Sequence, residues 1–584
     1  MKTLKYIIAI FIFIASLLNS CIVDPELKEI PKDFNSPENS FTDKAGFEAA
    51  LADIYRHIRY MYSWDNAGDE IDVYGVLGVE ADIYNVGLND DANGNAQFGE
   101  KIWYWNLINA DNGRVARNWN HYYQLIFRAN VIIDRSEENN IKWTDTEKAQ
   151  IVAEAKFLRA FFYRFLANMW GDVPLVLSET KEPKFDYVRT PRAEIYKQCK
   201  DDLSYATQYM KTVDQQPAGR APRAAAYHLL SEVNICLGDN QGAIQAASAV
   251  IDDPNFKLMT DRFGVRKNFT FTGYTYRGPK KPWGDVYWDL FQKGNMNWNQ
   301  GNRECIWNTQ YNLTLKGGGN TSDFQSSFNL ERWFCPDWWR AVDKDGKINW
   351  LKDTLGGRPV SENGSIFPSN YLGELVWQYK GDWDRDIRNS EYNIRREYYW
   401  TNPNSRFYGQ PLLRENMAIP SEHRLRTSPT FIKAVEAVHY GMRLDLTSGQ
   451  YSDAGRIFKD WYLIRLPETY LLRAEAYLRS GDKQKAAADI NVVRNRAKAT
   501  PVTASDVDID LILDERAREL CIEEFRFSTL MRMGKLVEYL HKYNGGVIQK
   551  KYQLPDWKNL FPIPQSVIEA NKHSDLGQNP GYKK

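Results

Sequence analysis

Two stretches far apart in the chain share one pattern, and that pattern constrains the fold more than any other feature. Between Pro467 and Ala497, Tyr470, Ala474, Tyr477 and Leu478 recur at helical spacing. Pro467 suits a first helical turn, Gly481 a C-terminal stop, and Asp482 the cap of a second helix. That second helix repeats Ala486, Ile490, Val493 and Ala497 on one face. Upstream, Tyr227, Ser231, Gly238, Ala243, Ala247 and Val250 reproduce the offsets, and Pro254 closes the unit. Each reads as an antiparallel helical hairpin of tetratricopeptide type, with small residues at the crossing. A single hairpin buries its apolar face only against a neighbour, so the two copies are expected to stack despite the long chain between them. The predicted fold class is therefore mostly α: a tetratricopeptide-like hairpin scaffold with a long irregular insertion of loops and short strands.

The rest of the chain falls into place around these hairpins. Residues 41–254 keep helical periodicity. A helix capped by Thr42 or Asp43 carries Phe47, Leu51 and Ile54, and the next carries Trp119, Tyr122, Ile126 and Ala129. A third places Ile151, Ala155, Leu158, Phe162, Phe165 and Met169 on one face before Gly171-Asp172-Val173-Pro174 stops it. Pro191 opens a fourth, with Ile195, Cys199, Leu203 and Ala206. A Gly/Asn/Asp-rich loop between Tyr62 and Asn112 is too long for a mere connector. Residues 255–456 lose the helical period and become turns, with eight of the 19 tryptophans between Trp283 and Trp350. Residues 457–541 return to helices, including one or a pair over Leu513–Leu540, and 542–584 form an extended tail. We read 41–584 as one domain whose scaffold presents its loops as a binding surface.

The N-terminus carries an address. Lys2 and Lys5 precede an apolar run, Tyr6–Leu18, shorter than the ~20 residues that span a bilayer, so residues 1–20 read as a signal peptide. Leu18-Asn19-Ser20-Cys21 resembles a bacterial lipobox, which makes Cys21 the lipidated first residue of the mature protein. Several acyl chains, each buried CH₂ adding roughly 0.8 kcal/mol, anchor a protein stably. Residues 21–40, polar and proline-spaced, form a tether.

Further blocks carry a family resemblance. Phe157–Tyr163 with Gly171–Val176, Ile464–Glu468 running into Ala474-Glu475-Ala476, Asp514–Leu520, and the ending Phe561–Pro564 through Gln578–Tyr582 resemble the SusD/RagB outer-membrane lipoproteins of Bacteroidetes. One block departs: Glu523-Glu524-Phe525-Arg526-Phe527 stands where the family usually has a Glu-Gly-His-Arg-Trp-like run. The resemblance implies a cell-surface, lipid-anchored protein of the outer membrane. It would capture an oligo- or polysaccharide without catalysis and pass it to a SusC-like TonB-dependent transporter. It supplies no ligand residues, because the binding loops differ between members.

Those residues have to come from chemistry. Sugar rings stack apolar C–H faces on flat aromatics, while their hydroxyls need amides and carboxylates in plane. Three stretches fit: Trp103, Trp105 and Asn106; Trp283 and Asp285 with Trp298 and Asn299; and Trp338. Gly, Pro and Asn around Trp283 and Trp298 place these two first. A peptide ligand is an alternative, because stacking surfaces do not exclude proteins. Hydrolysis is another, with Asp382, Asp384 and Asp386 as the densest acidic cluster of the insertion; a glycosidase needs two carboxyls roughly 5 to 9.5 Å apart. No cofactor is expected beyond a weak calcium candidate, Asn89, Asp91, Asn93 and Glu100, which has EF-hand spacing but asparagine at its first position. Lys+Arg and Asp+Glu both number 75, so no basic field attracts nucleic acid. The cysteines other than Cys21 form neither a CxxC pair nor a disulfide framework.

Overall fold

A computed structural model describes residues 40–62, 81–86, 88–90, 96–98, 108–138, 141–271, 279–312, 315, 330–336, 338–349, 366–434, 459–543 and 554–583. Cys21 and the apolar run before it lie outside them. No described helix is long and apolar enough to cross a membrane.

The scaffold begins with α1 (Lys44–Ile58), α2 (Gly113–Arg135), α3 (Asp145–Trp170), α4 (Arg192–Tyr209), α5 (Arg223–Cys236) and α6 (Asn240–Ile251). After the insertion come α7 (Leu466–Arg479), α8 (Lys483–Arg496), α9 (Ile509–Leu520), α10 (Arg526–Arg532) and α11 (Leu536–Tyr543). From α2 to α6 each helix packs on the next, and α7 then packs on α6, on α8 and on α9. The two repeat hairpins, α5–α6 and α7–α8, are thus stacked neighbours. Their seam is a buried cluster of Ile235 and Ala243 from the first and Leu472 and Ala476 from the second.

The punctuation of the hairpins is as the residues dictate. Gly238 and Gly481 stop the first helices with φ of 75° and 84°, and Asp239 and Asp482 cap the second helices by accepting from the backbone N–H of Gly242 and Lys485. Ala486, Ile490, Val493 and Ala497 are all fully buried. The stripe expected on α7 needs correction. Ala474 is buried, but Tyr470, Tyr477 and Leu478 are only half-buried, and Leu471, Leu472 and Glu475 lie deeper. Three helices crowd α7, so its buried face is far wider than one stripe. The helical text after Leu513 resolves into three helices, α9 to α11, rather than one or two.

Among the described residues of 255–456 the chain forms short helices, 3₁₀ turns and strands of two or three residues. One longer strand, β4 (Cys305–Thr309), pairs antiparallel with β6 (Trp461–Arg465), which leads directly into α7. Both strands are buried throughout. They drive the insertion into the scaffold: Trp283, Trp288, Trp307 and Trp377 belong to the same buried cluster as Phe47, Phe161 and Ile563.

Candidate ligand-binding surface

The long loop after α1 and the insertion meet on one side of the scaffold. In the loop, β1 (Tyr84–Val86) pairs antiparallel with β5 of the insertion (Ile366–Pro368). Next, β2 (Leu88–Asp90) and β3 (Ala96–Phe98) form a hairpin, and β2 packs on the short helical turns Pro420–Glu422 and His423–Thr427. The second of these packs on the turn Trp338–Arg340. Beneath lies a satellite aromatic cluster separate from the main core: Trp338, Trp339, Tyr398 and Trp400 with Leu412 and Met417. The exposed Arg340 lays its guanidinium 4.8 Å from the centre of the Trp339 ring, and that of Arg395 lies 4.1 Å from Tyr398.

The sequence candidates fare unevenly. Trp338 is only 5% exposed and serves the satellite cluster, so it offers no open face. Trp283 is 1% exposed, with its ring edge-on to Phe271 and Tyr392 at 5.2 and 4.9 Å. Asp285 caps the short helix Val286–Leu290 by accepting from the Trp288 N–H at 2.8 Å. It also accepts from Ser390 and Asn393, and burial pushes its carboxyl above the usual range. These two are structural. The Pro-Trp-Gly-Asp text spells a helix start as well as a loop, which is why exposure was expected of them. Trp298 is half-buried: its Nε1 donates to the Asn255 carbonyl at 2.8 Å, and the Arg303 guanidinium covers it at 3.9 Å. Asn299 beside it is exposed. Trp103, Trp105 and Asn106 lie outside the described residues. So do Asp91, Asn93 and Glu100, while Asn89 stands opposite Gln97 in the hairpin.

Comparison with known proteins decides the family. The chain matches the SusD family over residues 303–582, and a group described as starch-binding and associating with the outer membrane over 35–235. The chain belongs to the SusD/RagB family. A SusD-like protein, P25, of Formosa agariphila is 23% identical over 605 residues, 99% of each chain. Starch-binding protein SusD of Bacteroides thetaiotaomicron is 24% identical over 471 residues, 78% of this chain and 77% of that one. Among solved structures, surface glycan-binding protein A of Bacteroides thetaiotaomicron in complex with laminarihexaose superposes with a TM-score of 0.64 at 19% identity, covering 92% of this chain and 100% of that one.

The SusD/RagB blocks meet in space. The Phe561 N–H donates to the Met169 carbonyl at the end of α3, Trp170 Nε1 donates to the Pro562 carbonyl, and Asn579 Nδ2 donates to the Trp170 carbonyl. The tail so closes the end of α3 where Gly171, at φ 78°, turns the chain.

The Asp514–Leu520 block, on α9, carries a buried ionic network that joins scaffold to insertion. Arg388, from the insertion, holds Asp386 at 2.6 Å, Glu515 at 2.8 Å and Glu519 at 3.1 Å. Arg465 holds Glu304, Glu519 and Glu523 at 2.7 to 2.9 Å. Arg494 bridges Glu515 and Asp382. Burial alone would push the Glu519 carboxyl up, but Arg496, Arg465 and Arg388 bring it down to about 2. The departure at Glu523–Phe527 fits this network. Glu523 accepts from Arg465 and Lys433, Glu524 from Arg516, and Arg526 pairs with Asp82. Two of the three acids considered for hydrolysis are therefore fixed to arginines: Asp382 and Asp386 are 3% and 2% exposed, while Asp384 alone is exposed.

Proposed function

We propose that this protein is a cell-surface glycan-binding lipoprotein. It captures an oligo- or polysaccharide on the face where the long loop meets the insertion, and passes it uncleaved to a TonB-dependent outer-membrane transporter. The observation that carries the reading is the meeting of that loop, through β1 and β2, with the insertion, where both β2 and the Trp338–Arg340 turn pack on His423–Thr427. Trp103, Trp105 and Asn106 come shortly after β3 in sequence and carry the aromatic and amide chemistry a sugar needs. The names of its relatives, one starch-binding and another a laminarin-binding SusD-like protein with a TM-score of 0.61 at 20% identity, support a glycan ligand. The locked state of Asp382 and Asp386 supports capture over hydrolysis. Lipidation at Cys21 would hold the protein at the outer membrane. An affinity-gel panel of starch, laminarin and other glucans, run with an assay for released reducing ends, tests this. Retention without release is expected; release abolished by Asp384→Asn overturns it.

A further inference from the structure

The chain enters α1 doubled back on itself. Asp43 caps the helix by accepting from the Gly46 N–H at 3.0 Å, and Phe41 sets its ring edge-on to Phe47 at 4.8 Å. The Ser40 carbonyl occupies the place that a Cβ on residue 46 would take, so the chain ahead of the helix lies alongside its first turn. Beside it, the outward face of α1 carries Ala45, Ala49 and Ala52, all exposed, where a surface helix ordinarily turns polar side chains to water. That face runs into a cleft of about 230 Å³ between α1 and β4. Ala52, Tyr55, Arg56 and Arg59 wall it on the helix side, with Arg220 and Gln310 among the residues opposite.

Charge around the cleft is biased. Arg220 meets Glu48 and Glu154, Arg56 and Arg128 meet Asp53 at 3.7 and 3.2 Å, and Arg59 Nη1 donates to the Gln310 carbonyl at 3.2 Å. Four arginines thus stand against three carboxylates. The tether carries the opposite bias: between residues 21 and 39 five acids, Asp24, Glu26, Glu29, Asp33 and Glu38, outnumber Lys28 and Lys32. Its end also lies where the alanine face begins. From Gly46 to Arg59 the helix rises ~20 Å. An extended chain covers that in about six residues, and Pro31 and Pro37 favour extension. Traced back from Ser40, Phe34 and Asp33 therefore come level with the cleft. We propose that the tether is docked on the body. Residues 33–39 lie back along the outward face of α1, with Phe34 at the cleft mouth beside Tyr55 and Asp33 within reach of Arg59. The N-terminal end of the chain then leaves the body at one fixed place.

Hydrogen exchange with millisecond labelling tests the docking, on the mature chain carrying Cys21→Ala and on a free peptide of residues 21–39. In the protein the amides of 33–39 are expected to exchange about tenfold more slowly than in the peptide. Ala52 is exposed and lines the cleft, so Ala52→Glu puts an acid in the path of the acidic tether without entering the core. It is expected to return 33–39 to the peptide rate, with exchange across 44–58 and the thermal midpoint unchanged. Phe34→Ser is expected to do the same. Peptide-like exchange of 33–39 in the parent overturns the proposal, and so does protection that survives either variant, which would place the tether elsewhere. No glycan is added, so the outcome is independent of the capture reading.

Discussion

Arg388→Met isolates the contribution of the ionic network to seating the insertion. Arg388 is fully buried, and its fork meets Asp386 at 2.6 and 2.9 Å. Removing it leaves Glu515 with Arg494 and Arg518, and Glu519 with Arg465 and Arg496. Asp386 has no such reserve; it keeps only the backbone N–H of residue 388. Orphaning one buried charge costs about 3 to 5 kcal/mol. Unfolding entropy near 2.1 cal/mol/K per residue gives roughly 1 kcal/mol per degree for a chain of this length. The thermal midpoint at pH 7.5, followed by calorimetry, should therefore fall by about 3 to 5 °C. Adding Asp386→Asn removes the orphan charge, and the amide oxygen can still cap the turn, so the double variant should recover part of the loss. A midpoint within about 1 °C of the parent, or a double variant worse than the single, would refute the reasoning.

Acidification should destabilise the protein in two stages. Burial lowers His121 and His228 to about 3, below the ordinary 6.5, so the unfolded chain binds more protons and stability is lost as pH falls from 6.5 toward 3. Each contributes a slope of about 1.4 kcal/mol per pH unit within that window. Below 4.5, Glu519 and Glu232, both held near 2 by arginines that outweigh their burial, add to the loss. A thermal midpoint flat between pH 6.5 and 5 contradicts this. Gly481→Ala keeps the space around residue 481 but forces φ 84° on a Cβ, and should lower stability by about 1 kcal/mol in urea unfolding. Cys21→Ala should move the protein from the membrane to the soluble fraction, and retention would refute lipidation there.

The scaffold was legible because its signals are local. Gly481 and Asp482 punctuate a hairpin, and Ala486, Ile490 and Val493 mark its buried face within a few turns of chain. The ionic network was not legible, because Arg388 meets Glu519 only after the insertion folds back across more than a hundred residues. One sign of it was present. Asp514–Leu520 crowds five charges onto fewer than two helical turns, and four of them, Glu515, Arg516, Arg518 and Glu519, are buried. Trp283 and Trp338 misled for a related reason: a tryptophan among glycines and prolines reads the same whether a neighbouring segment covers it or not. Phe271, twelve residues upstream, and Tyr392, more than a hundred downstream, cover Trp283 in the folded chain. Trp298 and Asn299 remained accessible because a 3₁₀ turn, stopped by Gly301 at φ 91°, holds them at a rim.

The most direct test of capture at the loop–insertion face is isothermal titration of the mature chain and its Trp103→Ala/Trp105→Ala variant with whichever glucan the gel panel retains. Each lost stacking partner should cost about 0.5 to 1.5 kcal/mol, so the double variant should bind roughly tenfold or more weakly at an unchanged thermal midpoint. Equal affinity for the two proteins would contradict the account.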